Sequence, residues 1–306
     1  MSTITVAAAL RRFWAPGVNE VTGNPSALGI RNWISNKGFQ VYAPLSYPFR
    51  LHYADKVALS ASFAGEAMRM SLAAMESLAS IRAVPELPKS KAWALVQWYY
   101  GAFYAAHALL RMTGRSLLHL ETGHAKAIDE VASHYGQSGS ARSGFHLVVL
   151  DASTDTVEFA CMNGAHGGSH EFMWRAFDQW LKTCSDELLR TPGGSSEIQA
   201  AAMELDELRS ILGSDHADAG CWLSSVRNRV NYRHELASWF PYAGHDTRDL
   251  AVFSSSVPSK APPALKASPV GRPIQRFLDG CRFIVGLCWH MSVEMDSRCP
   301  TGRSHV

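Results

Sequence analysis

The segment RNRVNYRH, Arg227 to His234, gathers three arginines, two asparagines, a tyrosine and a histidine into eight residues between apolar flanks. A guanidinium offers fixed donors to an anion, and an imidazole is the side chain that exchanges protons near neutral pH. Together they suit phosphodiester cleavage in RNA. His234 would take the proton of the 2′-hydroxyl or return one to the leaving oxygen. Arg227 would stabilise charge developing on the phosphorus oxygens. This chemistry needs no metal and no cofactor, and it leaves a 2′,3′-cyclic phosphate and a 5′-hydroxyl.

Such a pair must be positioned, and the surrounding pattern predicts a helix over 218–238. Seven residues turn through about 700°, so Arg227 and His234 would lie within roughly 20° of one face, with Asn231 on the same stripe. Arg229 and His234 would diverge by about 140°. Trp222, Leu223, Val226, Val230 and Ala237 make an adjoining apolar stripe, placing the pair at the edge of the buried face. Along the axis the two are about 10.5 Å apart, so only leaning side chains, or a second copy of the helix across a two-fold axis, would close on one phosphate. The plainer account of the same residues is intramolecular hydrogen bonding at a helix rim.

The elements around this segment are mostly helical. ADKVALSASFAGEAMRMSLAAMESLASIR, from about 54 to 82, combines three- and four-residue apolar spacing with many alanines. A second helix runs from about 90 to 113 and is apolar nearly all round, which predicts a central place in a bundle. Others are predicted at about 123–135, 169–190, 195–212 and 273–297. Between them, GFHLVVLDASTDTVEFACM alternates on either side of DASTDT and reads as a β-hairpin over 145–162, its edge a docking surface. Residues 1–50 read as an irregular lead-in, with short helices near 4–14 and 25–36. Residues 241–271 read as a Pro/Ser-rich surface loop. The predicted architecture is a mainly α helical bundle over 51–300, with an insertion at about 140–212 that carries the small β-hairpin.

Composition narrows the function. A net charge of +2 gives no global field for a nucleic acid or a membrane, so any basic surface must be local. The six cysteines show no C-x-x-C pair, which favours free thiols in a reducing compartment. The N-terminus lacks the pattern of a secretory signal, and no run has the ~20 apolar residues of a spanning helix, so a cytoplasmic protein without a membrane partner is expected. There is no G-x-S-x-G, G-x-G-x-x-G, G-x-x-x-x-G-K or H-E-x-x-H, which removes the main support for serine hydrolase, dinucleotide, P-loop and zincin readings.

Other residues carry a functional and a bland reading side by side. Tyr100, Tyr104 and His107 share a face of the second helix; they either stack a base or are core residues with satisfied polar tips. Arg111, Arg115 and Arg142 are either a local basic rim or ordinary solvated charges. Cys161, His166, His170 and Glu171 lie close in sequence, but their spacing fits no metal frame.

The helix WYYGAFYAAHALLRMTG, followed by the histidine-led GHAKAIDEVASHYG, resembles the HEPN superfamily, on Tyr99/Tyr100, Phe103, Ala106 and His124. RNRVNYRH looks like that superfamily's R-x4–6-H motif, with the polar Asn228 after the arginine. The resemblance spans roughly 54–136 and 215–297. It implies a homodimeric helical bundle acting as a metal-independent endoribonuclease in a bacterial toxin–antitoxin or anti-phage system, with RNA as substrate and an antitoxin or defence protein as partner. It implies Arg227 and His234 as the catalytic pair, Asn228 positioning them, and Asn231, Tyr232, Arg229, Tyr100, Tyr104 and His107 around the substrate. One departure stands out: Tyr232 occupies the place where the shortest spacing from Arg227 would put the histidine. The alternative is therefore a catalytically inactive HEPN-like module that dimerises, senses a nucleotide or docks a partner.

Overall fold

A computed structural model describes residues 3–23, 29–82, 90–162, 168–217, 220–236, 238–239, 265 and 273–306. His166, Ala237 and, Leu265 apart, the expected 241–271 loop lie outside these. In chain order the elements are α1 (Thr3–Leu10), α2 (Ile30–Ser35), β1 (Phe39–Gln40), β2 (Phe49–Tyr53), α3 (Lys56–Arg82), α4 (Ala92–Met112), β3 (Arg115–Leu120), α5 (Thr122–His134), β4 (Gly144–Asp151), β5 (Thr156–Cys161), α6 (Ser169–Leu189), α7 (Ser196–Leu212), α8 (Trp222–Arg233) and α9 (Pro273–Ser297). The protein is mainly α. The chain divides into two compact units: Met1–Arg12, Met70–Ala106 and Phe177–Met291 form the first, and Phe13–Arg69, His107–Ala176 and Ser292–Val306 the second.

Among the described residues, the regular elements of the first unit are all helices. On α7, Ala201, Ala202, Leu205, Leu208, Ile211 and Leu212 fall on one helical stripe and are buried. Ser195 caps its start by accepting the Ile198 N–H. On α9, a β-carbon at Gly280 would stand 3.0 Å from Ile211 of α7 and 3.8 Å from Leu223 of α8, so glycine lets the three helices meet. Trp180, Trp222, Tyr99, Phe177 and Phe283 fill the core.

The second unit holds more β structure than the alternation of the hairpin announces. Its antiparallel sheet runs β1-β2-β5-β4-β3. The hairpin β4–β5 is present but sits in the middle: β2 pairs with β5, aligning Phe49 with Phe159, and β3 pairs with β4, aligning Leu117 with Leu147. Both hairpin edges are hydrogen-bonded within the sheet, which corrects the expectation of an open docking edge. The lead-in and the residues just beyond it therefore supply two strands, and the stretch after Gly114, to which the sequence pattern assigns no element, supplies a third. Phe49 and Phe159 stack with centroids 5.2 Å apart, anchoring the register.

A buried ionic network completes this unit. Glu66 of α3 accepts from Arg111 Nε at 2.6 Å and, through its other oxygen, from the Ile30 N–H at the start of α2 at 3.0 Å. Arg111 Nη1 donates to His107 Nδ1 at 3.0 Å, which leaves the histidine proton on Nε2. Burial first, then the Arg111 charge and His170, holds the His107 pKa well below its ordinary value. Arg111 is thus an internal counter-ion, which corrects its place in a basic rim.

Candidate functional site

The site lies in the first unit, on α8 and the first turns of α4. Trp222, Leu223, Val226 and Val230 are buried and hold α8 to the core. Arg227 falls in the same buried stripe, only 7% exposed, so it stands inside the apolar face and not at its edge. Its guanidinium carbon is 5.0 Å from the ring centroid of Tyr99 and 5.9 Å from that of Tyr232. Nη1 donates to the Tyr232 hydroxyl across 3.4 Å, and the buried Nε has no hydrogen-bond partner among the described residues. Among the described residues no carboxylate pairs with it. A buried cation without a counter-ion costs stability unless something else neutralises it.

The helix expected over 218–238 stops at Arg233. His234 has φ 54° and ψ 33°, left-handed backbone that ends a helix. Its N–H and that of Glu235 both turn back to the Arg229 carbonyl. His234 is therefore off the helix, exposed, and not on the stripe shared by Arg227 and Asn231; its ring lies 5.4 Å from Trp239. The sharp stop follows from the side chain of Glu235, which receives Arg229 Nε at 2.6 Å and draws the chain back across the helix end.

Residues 234–236 and 238–239 then form a hook. Ser238 Oγ donates to the Glu235 carbonyl, and the Ser238 carbonyl accepts both Lys91 N–H and Ala92 N–H at the start of α4. The Trp239 indole N–H donates to the Val230 carbonyl at 2.7 Å. Trp239 packs against Trp93 of α4, centroids 5.8 Å apart and near perpendicular.

The remaining expected residues are placed as follows. Asn228 is exposed and Asn231 half-buried. Tyr232 is 70% exposed, directly over Arg227. Arg229 is engaged by Glu235 and by Asp215 at 3.8 Å, while Asp215 also receives the Trp222 indole N–H. Tyr100 and Tyr104 are half-buried with rings 6.2 Å apart. His107 belongs to the second unit, its Nδ1 facing Arg111. The arrangement thus brings together Arg227, Tyr99 and Tyr232.

Sequence reasoning gave no role to Trp93 and Trp239, and it passed over Tyr99 in favour of its neighbour. The doublet Tyr99-Tyr100 held a signal, since an 0%-exposed tyrosine needs a polar neighbour and Arg227 is one. Trp93 and Trp239 carry no local signal, because a hook built from backbone hydrogen bonds brings them together.

None of the six cysteines is in a disulfide, and Cys184, Cys281 and Cys288 are buried. Among the described residues no group of three or more His, Cys, Asp or Glu is placed to hold a metal, and no helix is long and apolar enough to cross a membrane. Comparison with protein-family models, curated proteins and solved structures finds no match for this chain.

Proposed function

We propose that this chain is a HEPN-like helical module that binds RNA, with Arg227 as the receptor for a backbone phosphate. The observation that carries the reading is the buried Arg227 guanidinium, which has no carboxylate partner among the described residues. Tyr99 holds it from within by its π-face. Tyr232 covers it from the solvent side by a long hydrogen bond, which a phosphate oxygen would outcompete because a charge-assisted bond is roughly twice as strong. The expected context is the one the resemblance implies: a homodimer acting in a bacterial toxin–antitoxin or anti-phage system.

A second reading, cleavage of the bound RNA, is favoured by His234. Its imidazole stands exposed on the first residue beyond the motif helix. As general base it would take the 2′-hydroxyl proton while the 2′-oxygen forms its bond to phosphorus. The 5′-oxygen would leave with a proton from a general acid, giving the cyclic phosphate and a 5′-hydroxyl. His234 does not share the helix face of Arg227, and this ranks binding ahead of cleavage.

The test is a titration of labelled RNA with the full-length protein in EDTA, beside Arg227→Ala and His234→Asn. RNA retention by wild type and its loss in Arg227→Ala supports the phosphate receptor. Equal retention by both refutes it. Fragments with cyclic-phosphate ends that vanish in His234→Asn support cleavage, and intact RNA with tight retention leaves binding as the function. Growth arrest on expression in bacteria, lost in Arg227→Ala, tests the toxin context.

A further inference from the structure

The aromatic surface beside Arg227 has its own organisation. Trp93, 54% exposed, meets the half-buried Trp239, and Trp239 meets the exposed ring of His234. Trp93 and Trp239 meet edge to face at 79° and the His234 ring is tilted 47° to Trp239, so three rings cluster where the α8 end meets the α4 start. An exposed tryptophan costs solvation that folding alone does not return, and Trp93 stands exposed against a half-buried second indole.

The hook keeps these rings in position. Trp239 is fixed by its indole N–H on the Val230 carbonyl, and the backbone at Ser238 is fixed by two N–H groups of α4. His234 and Leu236 both adopt left-handed backbone, with φ of 54° and 63°, a conformation non-glycine residues rarely hold. The Trp239 ring is therefore held in place before any ligand arrives.

Charge selects the occupant. Arg233, exposed at the last position of α8, has no ion-pair partner among the described residues, and Arg227 lies about 1.7 turns earlier under Tyr232. Aromatic rings on the same two helix ends as two arginines match a polymer with alternating bases and phosphates. A duplex presents only base edges, whereas unpaired bases present faces.

We infer that Trp93, Trp239 and His234 form a stacking platform for unpaired bases, so that the RNA taken by this module is single-stranded. The inference rests on the phosphate-receptor reading of Arg227 and adds a second contact to it. Stacking on Trp93 supplies affinity that Arg227 does not, and it sets the preference for single strands over duplexes.

The experiment titrates the full-length protein into a labelled single-stranded RNA 12-mer of mixed sequence and into the same RNA as a duplex. Wild type is compared with Trp93→Ala, Trp93→Phe and Arg227→Ala, with the thermal melt of each variant as the check on folding. The expected result is tighter binding of the single strand, weakened about tenfold in Trp93→Ala and largely retained in Trp93→Phe, as loss of one stacked base dictates. Intrinsic tryptophan fluorescence should be quenched on binding by wild type and less so by Trp93→Ala. Equal affinity for both RNAs, with Trp93→Ala unchanged but Arg227→Ala impaired, overturns the platform and leaves the phosphate receptor standing. Failure of wild type to bind either RNA overturns both. Self-association that disappears in Trp93→Ala, with RNA binding intact, shows a second copy on this surface and also overturns the platform.

Discussion

The guanidinium carbon of Arg227 stands 5.0 Å from the ring centroid of Tyr99, a tyrosine with no exposed surface. A desolvated cation–π contact contributes about 2 kcal/mol, while burying an unpaired charge costs several kcal/mol. The contact therefore does not repay the burial. An arginine kept solely for stability would have been better replaced by an apolar residue of similar length.

That comparison gives the first prediction. Arg227→Met removes the charge and keeps the volume, so it should unfold at or above the wild-type temperature by thermal denaturation, while RNA retention is lost. A melting temperature several degrees lower would show that the guanidinium is structural and would defeat the receptor reading.

The left-handed backbone of His234 yields the second. A β-carbon in that region costs on the order of 1 kcal/mol, which glycine does not incur. His234→Gly should raise the urea midpoint, and His234→Asn, tolerant of the same backbone, should leave it near wild type. A fall in both variants would mean that the imidazole holds the hook, and then a loss of RNA cleavage in His234→Asn would not identify a proton-transfer residue.

The third concerns the Glu66–Arg111 pair, whose side chains are 10% and 4% exposed. Removing one partner strands the other, which costs about 3–5 kcal/mol. Glu66→Leu should approach that range in urea denaturation, since it also orphans the Ile30 N–H at the start of α2. The double variant Glu66→Leu/Arg111→Met should recover part of the loss. Additive losses would show that the two charges do not stabilise one another.

The fourth is a pH dependence. His107, His146 and His290 all have pKa values lowered from the ordinary 6.5, with burial the largest cause in each. In the folded protein they stay neutral where the unfolded chain already binds protons. Their contribution is complete above pH 6.5 and is lost as pH falls below it, by at most about 1.4 kcal/mol per pH unit for each histidine. Denaturation between pH 7.5 and 5 should show this decline, and His107→Gln should make it shallower. A stability that rises on acidification would contradict the buried, neutral state of these side chains.

The helices were legible in the sequence because their periodicity is local. The stripe of α7, the alanine-rich α3, the Pro273 start of α9 and the alternation of β4 and β5 around DASTDT each predict an element from its own residues, at nearly the bounds found. The cluster Arg227–His234 was legible as a site candidate for the same reason. β2 had a weak signal in the alternation of Phe49, Leu51 and Tyr53, and β3 almost none in RSLLHL. Both are strands because β5 and β4 offer them hydrogen-bonding edges from more than a hundred and about thirty residues away in the chain. The site divides in the same way. The sequence determined that Arg227 would share a helix with apolar residues. Only the tertiary structure decided that Tyr99 would lie beneath it, that the helix would end before His234, and that Trp93 and Trp239 would meet. Glu235 bonding back to Arg229, and Ser238 accepting the first N–H groups of α4, turn the chain where the helical pattern alone would have carried it straight on.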